Sequence, residues 1–204
     1  YRVKALGPEP ANMAFIPAGW FGMGDTFGEG GVEELPVHSV YVRGFWMDRY
    51  AVTKALWDEV HDWAATNSYS FSDGESGKAA NHPVQTVTWY DCAKWANARS
   101  EMEGLTPCYY TSSSTTTVYR SGELNVSNDW VRWDANGYRL PTEAEWEKGA
   151  RGGASGHRFP WADDTISFGR ANYYSIWDGG SPSYSYDLAY TNDFHPDFDS
   201  GPSP

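Results

Sequence analysis

The sequence predicts an α+β domain, rich in loops, with a small antiparallel sheet and two main helices. Three observations carry this. Apolar residues recur at helical spacing in two long stretches and one short one, each opened by a threonine able to cap it. Short alternating runs of strand length lie between and before them. The 21 glycines and 12 prolines break the chain into many turns, so strands and helices segregate instead of repeating.

In chain order, Tyr1 to Asn12, with Pro8 and Pro10, reads as a lead-in, and the domain is expected to run over residues 13–204. Met13 to Gly24 reads as two short strands around the turn Pro17-Ala18-Gly19. Phe27 to Glu34 is a glycine-rich acidic loop. Val37 to Val42 alternates as a strand and resumes at Phe45-Trp46-Met47. Thr53 opens the first helix, whose Leu56, Val60, Trp63 and Ala64 share one face. Ser68 to Asn81 is a long polar loop, of the kind that is either functional or floppy.

Thr88, with Asp91 three residues on, caps the second helix. Trp89, Cys92, Ala93 and Ala96 form one stripe on it, and Trp95, Ala98 and Met102 another. Two stripes mark a helix buried on more than one side, hence the central one, and Gly104 stops it. Pro107 to Leu124 reads as a hairpin with a Ser/Thr-rich tip, and Trp130 to Trp133 as a further strand. Asn136-Gly137 is a turn signal. Tyr138 to Leu140 alternates as a strand, and Pro141 keeps its predecessor extended. Thr142 and Glu145 then form a capping box for a short helix that Gly152-Gly153 end.

Composition narrows the classes. Hydrophobic content is only 40 %, but 11 Trp, 14 Tyr and 9 Phe give each buried position a large area. A net charge of −12 repels nucleic acid and anionic membranes, and no apolar run is long enough to span a bilayer. No signal peptide is visible and the first residue is Tyr1, so the compartment stays open, with a bacterial envelope or secreted location compatible. Cys92 and Cys108 lack zinc-ligand spacing. A disulfide between them stays open, and a buried free thiol is the default for Cys92. The five histidines form no paired ligand motif. Glu33-Glu34 and Asp163-Asp164 read as solvated acids.

The segment Gly137-Tyr138-Arg139-Leu140-Pro141-Thr142-Glu143-Ala144-Glu145-Trp146-Glu147 resembles the core signature of the formylglycine-generating enzymes, also called sulfatase-modifying factors. Other runs sit in that family's order. They are Phe15 to Gly19 with Phe21 to Gly24, then Pro36-Val37-His38 with Phe45 to Asp48 and Val52-Thr53. His82-Pro83-Val84 through Val87 to Asp91 follows, and then Ala150 to Gly153, Phe159-Pro160-Trp161 and Ala171-Asn172-Tyr173. Lys54 stands where the family usually has Asn.

The resemblance implies a C-type-lectin-like fold and an activity, the oxidation of a protein or peptide cysteine to formylglycine by molecular oxygen. That chemistry uses copper(I) held by two cysteines, and soft thiolates suit it. The family's cysteine segment finds no match after Tyr173, so the chain is expected to be incomplete at its C-terminal end and inactive as it stands. Structural roles are expected for Cys92 and Cys108. The family also binds a structural calcium through an Asn side chain, the next carbonyl, a later Asp and a nearby carbonyl. Asn172 and Tyr173 match the first pair, with Asp197 and Asp199 as candidates for the second. The alternative is a non-catalytic module of the same fold that binds a glycan or protein. Tyr173, Tyr174, Trp177, Tyr184, Tyr186 and Tyr190 would then form a binding surface instead of covering a core.

Overall fold

The structure is a computed structural model describing residues 3–4, 10, 12–72, 74–161, 163–178, 181–189, 191 and 193. Its contacts divide into two compact units: residues 1–21 with 40–149, and residues 22–39 with 150–204. Every buried hydrophobic side chain among the described residues belongs to the first unit.

Three strands open that unit. β1 (Val3–Lys4) and β2 (Met13–Ile16) flank β5 (Phe45–Asp48), both antiparallel to it. A piece of the expected lead-in therefore joins the sheet. Phe15 pairs with Trp46, and their rings meet at 5.1 Å. β3 (Gly19–Met23) and β4 (His38–Val42) form a separate two-stranded sheet. The two strands read on either side of Pro17-Ala18-Gly19 are thus present, in different sheets.

Three α-helices follow where the threonines place them. In α1 (Lys54–Ala65) the Thr53 hydroxyl accepts from the Leu56 amide at 3.3 Å. In α2 (Trp89–Met102) Thr88 accepts from the Asp91 amide at 3.0 Å, and Gly104, at φ +70°, follows the last turn. In α3 (Glu143–Arg151) the capping box is reciprocal: Glu145 N–H donates to Thr142 Oγ1 at 3.2 Å and Thr142 N–H to Glu145 Oε2 at 2.8 Å. Each cap satisfies amides that a first helical turn leaves without partners.

Helix α2 is the axis of this unit. Ala93 and Ala96 face one core, with Met13, Cys108, Tyr109, Tyr119 and Tyr138. Trp95 and Ala98 face another, with Trp57, Val60, Ala64 and Tyr69. Trp89, assigned to the first stripe, is instead half exposed at the helix start. Burial on both sides leaves no solvated face for the polar residues between, so Asp91, Lys94, Asn97 and Ser100 are buried as well. Each has partners, as buried polar groups require. Lys94 Nζ lies 3.0 Å from Asp91 Oδ1 and donates to Ser70 O at 2.7 Å, while Asp91 accepts from the Ser72 amide at 3.1 Å. The loop expected over 68–81 is therefore fastened to α2 by a buried ion pair. Its Ser76 also exchanges two backbone hydrogen bonds with Gln85, in the segment that leads into α2.

Three expected strand elements are absent as ladders among the described residues. Within Tyr138 to Leu140 only Arg139 is a bridge residue. Side chains take over the backbone bonds that a strand would make: Tyr138 N–H donates to Ser100 Oγ at 2.8 Å and Leu140 N–H to Tyr109 Oη at 2.9 Å. The Pro107 to Leu124 hairpin shrinks to the single bridge Tyr110–Val118, and the Trp130 to Trp133 strand to the bridge Tyr109–Val131. Asn97 explains how such short pairings survive. Its amide donates to Tyr109 O and Tyr119 O and accepts from the Cys108 and Tyr109 amides, so four buried backbone groups are satisfied from the helix. Gly137 is needed for space, not for positive φ: an added Cβ would run into Thr106 O and Ser100 Oγ.

The second unit contains β6 (Trp177–Asp178) and β7 (Ser181–Pro182), paired antiparallel. Among its described residues rings pack on rings, without a buried apolar cluster. Phe159 stacks on Trp161 at 5.1 Å, Tyr184 on Tyr186 at 5.3 Å, and Phe168 meets Tyr173 at 5.2 Å. Arg158 lies between Phe27 and Tyr186, 4.2 and 4.3 Å from their centroids, and is paired with Glu29.

Candidate functional site

The stretch before α3 joins that helix through a paired side chain. Arg139 grips Glu145 with two nitrogens, at 2.7 and 2.6 Å, and lies 4.9 Å from the Trp133 ring. Burial raises the Glu145 carboxyl, but the guanidinium and Thr142 outweigh it and hold it below its ordinary range. The pair is a brace, because both its charges are spent on each other.

The two thiols are free and lie in different surroundings. Cys108 is buried in the core around Ala93, and burial pushes its thiol up to about 11. Cys92 is partly buried against the Trp57–Trp95 core, and burial raises its thiol too. A metal or a nucleophilic step needs the thiolate, which such surroundings disfavour. These cysteines do not fit a copper(I) pair.

The candidate cation residues fall in the second unit. Asn172 is exposed and Tyr173 half-buried, while Asp197 and Asp199 lie outside the described residues. The carboxylate that meets Tyr173 is Asp187, which the sequence reading did not single out. It is 3 % exposed and accepts from Tyr173 Oη at 2.5 Å and from the Ala189 amide at 2.9 Å. Burial raises its carboxyl, yet hydrogen bonds from Ser175, Tyr173 and the Ala189 amide prevail and hold it below the usual range. The same carboxylate keeps the Tyr173 phenol protonated well above its ordinary pKa, second only to burial. Backbone bonds fix the loop on either side, with Ile166 N–H on Tyr186 O and Leu188 N–H on Ile166 O, both at 2.8 Å. Ser175, whose hydroxyl faces Asp187, is wholly buried. Among the described residues no three His, Cys, Asp or Glu side chains gather as metal ligands.

The aromatic residues expected to form one surface divide. Tyr174 and Tyr184 are about half exposed, Tyr173, Trp177 and Tyr186 are partly buried, and Tyr190 lies outside the described residues. No helix of the described residues is long and apolar enough to cross a membrane.

The model of the sulfatase-modifying factor enzyme 1-like domain matches residues 3–196, and the chain belongs to that family. Among curated proteins, the formylglycine-generating enzyme of Streptomyces coelicolor is 34 % identical over 180 residues, covering 82 % of this chain and 55 % of that protein. The chaperone protein LppX of Paenibacillus barcinonensis is 37 % identical over 131 residues, covering 61 % of this chain and 42 % of that protein. Among solved structures, CarF superposes with a TM-score of 0.58 at 30 % identity, over 71 % of this chain and 57 % of that one. The fold is therefore that of the formylglycine-generating enzymes, as the resemblance of the segment Gly137 to Glu147 and the runs around it implied. The chain spans about half the length of the curated relatives it matches.

Proposed function

We propose that this chain is the scaffold of a formylglycine-generating-type domain whose relevant partner is a protein or peptide, and that it does not itself oxidise cysteine. One observation carries the second clause. The chain's only thiols, Cys92 and Cys108, are held protonated by burial and belong to separate cores, whereas the family's chemistry requires a copper(I)-binding thiolate pair. The test is incubation of the full chain with copper(I), oxygen and a cysteine-containing peptide, with any aldehyde trapped by an aminooxy probe. The expected yield equals the protein-free control. Aldehyde that disappears with Cys92→Ser or Cys108→Ser would overturn the reading.

A structural calcium completes the proposal. Asn172 would offer its side-chain oxygen and Tyr173 its carbonyl, with Asp197 and Asp199 as the acids expected from the family pattern. The buried, ionised Asp187 beside Tyr173 is the oxygen donor that supports a hard cation in this loop. When bound, calcium supplies only positive charge that ties loop oxygens together.

The half-exposed Tyr174 and Tyr184 favour a second reading, a non-catalytic module displaying aromatic loops to a glycan or protein. Saturable binding on a glycan or protein array, lost when calcium is chelated, supports it. An array with no saturable ligand counts against it.

A further inference from the structure

We propose that Asn136 is a self-modification site, at which the fold converts asparagine to aspartate without an enzyme. This is independent of the family reading, because it uses neither a thiol nor a cation. Asn136-Gly137 is the one Asn-Gly step in the sequence. Asn136 is exposed, so water and hydroxide reach its side chain. Glycine puts no Cβ in the way of the main-chain nitrogen that must attack.

The reaction is the loss of the side-chain nitrogen as ammonia. The Gly137 nitrogen gives its proton to hydroxide and bonds to Asn136 Cγ. The Cγ–Nδ2 bond breaks, ammonia leaves with a proton taken from water, and a succinimide ring remains. One water then opens the ring at either carbonyl. Opening at the former Cγ gives aspartate, and opening at the main-chain carbonyl gives isoaspartate. Asparagine plus water becomes aspartate plus ammonia, with no oxidant or reductant.

Two contacts set the direction. Thr106 N–H donates to Asn136 Oδ1 at 2.9 Å. An amide N–H can meet only the oxygen of an asparagine side chain, so the end it holds is fixed. That oxygen gathers negative charge when the ring closes and again when water attacks the former Cγ, and a donor already aimed at it favours both steps. The second contact is the packing of Gly137. It is buried, and an added Cβ would run into Thr106 O and Ser100 Oγ. The next residue is tied to the same hydroxyl, with Tyr138 N–H donating to Ser100 Oγ at 2.8 Å. Isoaspartate inserts a methylene into the main chain directly before this point. Aspartate keeps the chain length and gives Thr106 N–H a charged, hence stronger, acceptor. An unconstrained chain yields mainly isoaspartate, whereas this fold directs the ring to aspartate.

The test is incubation of the full chain in mildly alkaline buffer made with heavy-oxygen water, once folded and once unfolded in guanidinium chloride. Peptide mapping by mass spectrometry locates the conversion, and enzymatic methylation counts isoaspartate. In the folded chain Asn136 is expected to convert at least about tenfold faster than any other asparagine, to take up one heavy oxygen and to give mainly aspartate. The unfolded chain is expected to give mainly isoaspartate. Asn136→Asp, the product made directly, is expected to melt no lower than the wild type. Conversion of Asn136 no faster than that of the other asparagines, the same product ratio folded and unfolded, or an Asn136→Asp chain that melts well below the wild type would overturn the proposal.

Discussion

Asn97 and Tyr109 exchange two hydrogen bonds through one side chain: Asn97 Nδ2 donates to Tyr109 O at 2.8 Å and Tyr109 N–H donates to Asn97 Oδ1 at 3.0 Å. A helix residue thus does for the segment around Tyr109 what a neighbouring strand would do. The same amide also serves Cys108 N–H and Tyr119 O. Tyr109 O keeps the Tyr119 amide at 3.0 Å, but Asn97→Ala removes the partner of the Cys108 and Tyr109 amides and of Tyr119 O, and each unpaired group costs about 1–3 kcal/mol, so a loss on the order of 3 kcal/mol or more is expected. Urea denaturation checks it, and a loss below about 1 kcal/mol would show that water replaces the amide.

Lys94 and Asp91 form a buried pair on the same helix, each 2 % exposed. Lys94→Met is expected to cost about 3–5 kcal/mol, since it strands the Asp91 charge. Replacing both by apolar residues should recover part of that. The acid limb of stability reads the pair as well. Burial raises the Asp91 carboxyl, but bonds from Thr88, Ser72 and Lys94 hold it below its unfolded value. Its contribution is therefore complete above the unfolded carboxylate pKa and lost as pH falls through the lower folded one. Asp91→Asn should flatten denaturation midpoints over that acid range, and an unchanged acid limb would contradict the assignment.

The capping box separates two costs. Thr142→Ala removes one hydrogen bond at the start of α3 and is expected to cost about 1 kcal/mol. Glu145→Ala also leaves the largely buried Arg139 without its partner, and about 3 kcal/mol is expected. Equal losses in thermal melts would mean that the ion pair contributes nothing.

For calcium, the expectation is a rise in melting temperature on adding the ion, because a ligand that binds only the folded state stabilises it. Asp187→Asn should remove the rise without removing the fold. An identical rise in the variant would take Asp187 out of the site, and no rise in the wild-type chain would remove the calcium proposal altogether.

The helices were legible because each is opened by a local cap, and a cap is a short-range signal: Thr53, Thr88 and Thr142 all serve as read. Tyr138 to Leu140 misled because alternation records which side chains face inward, not what bonds the backbone. Here Ser100 and Tyr109 supply those bonds from distant positions. The two apolar stripes of α2 marked burial on more than one side, and the buried Asn97 and Lys94 between Ala93, Ala96 and Ala98 are its consequence. Asp187 carries no local signal, because its partner Tyr173 lies 14 positions earlier in the chain.

The claim on which the functional account turns is that both thiols are structural. It is tested most directly by alkylation rates of Cys92 and Cys108 in the native chain as a function of pH, followed residue by residue by mass spectrometry with and without copper(I). The account predicts negligible labelling of either at neutral pH, labelling of Cys108 rising only toward a pH of about 11, and no effect of copper(I). Fast labelling of both thiols near neutrality, suppressed together by copper(I), would contradict it.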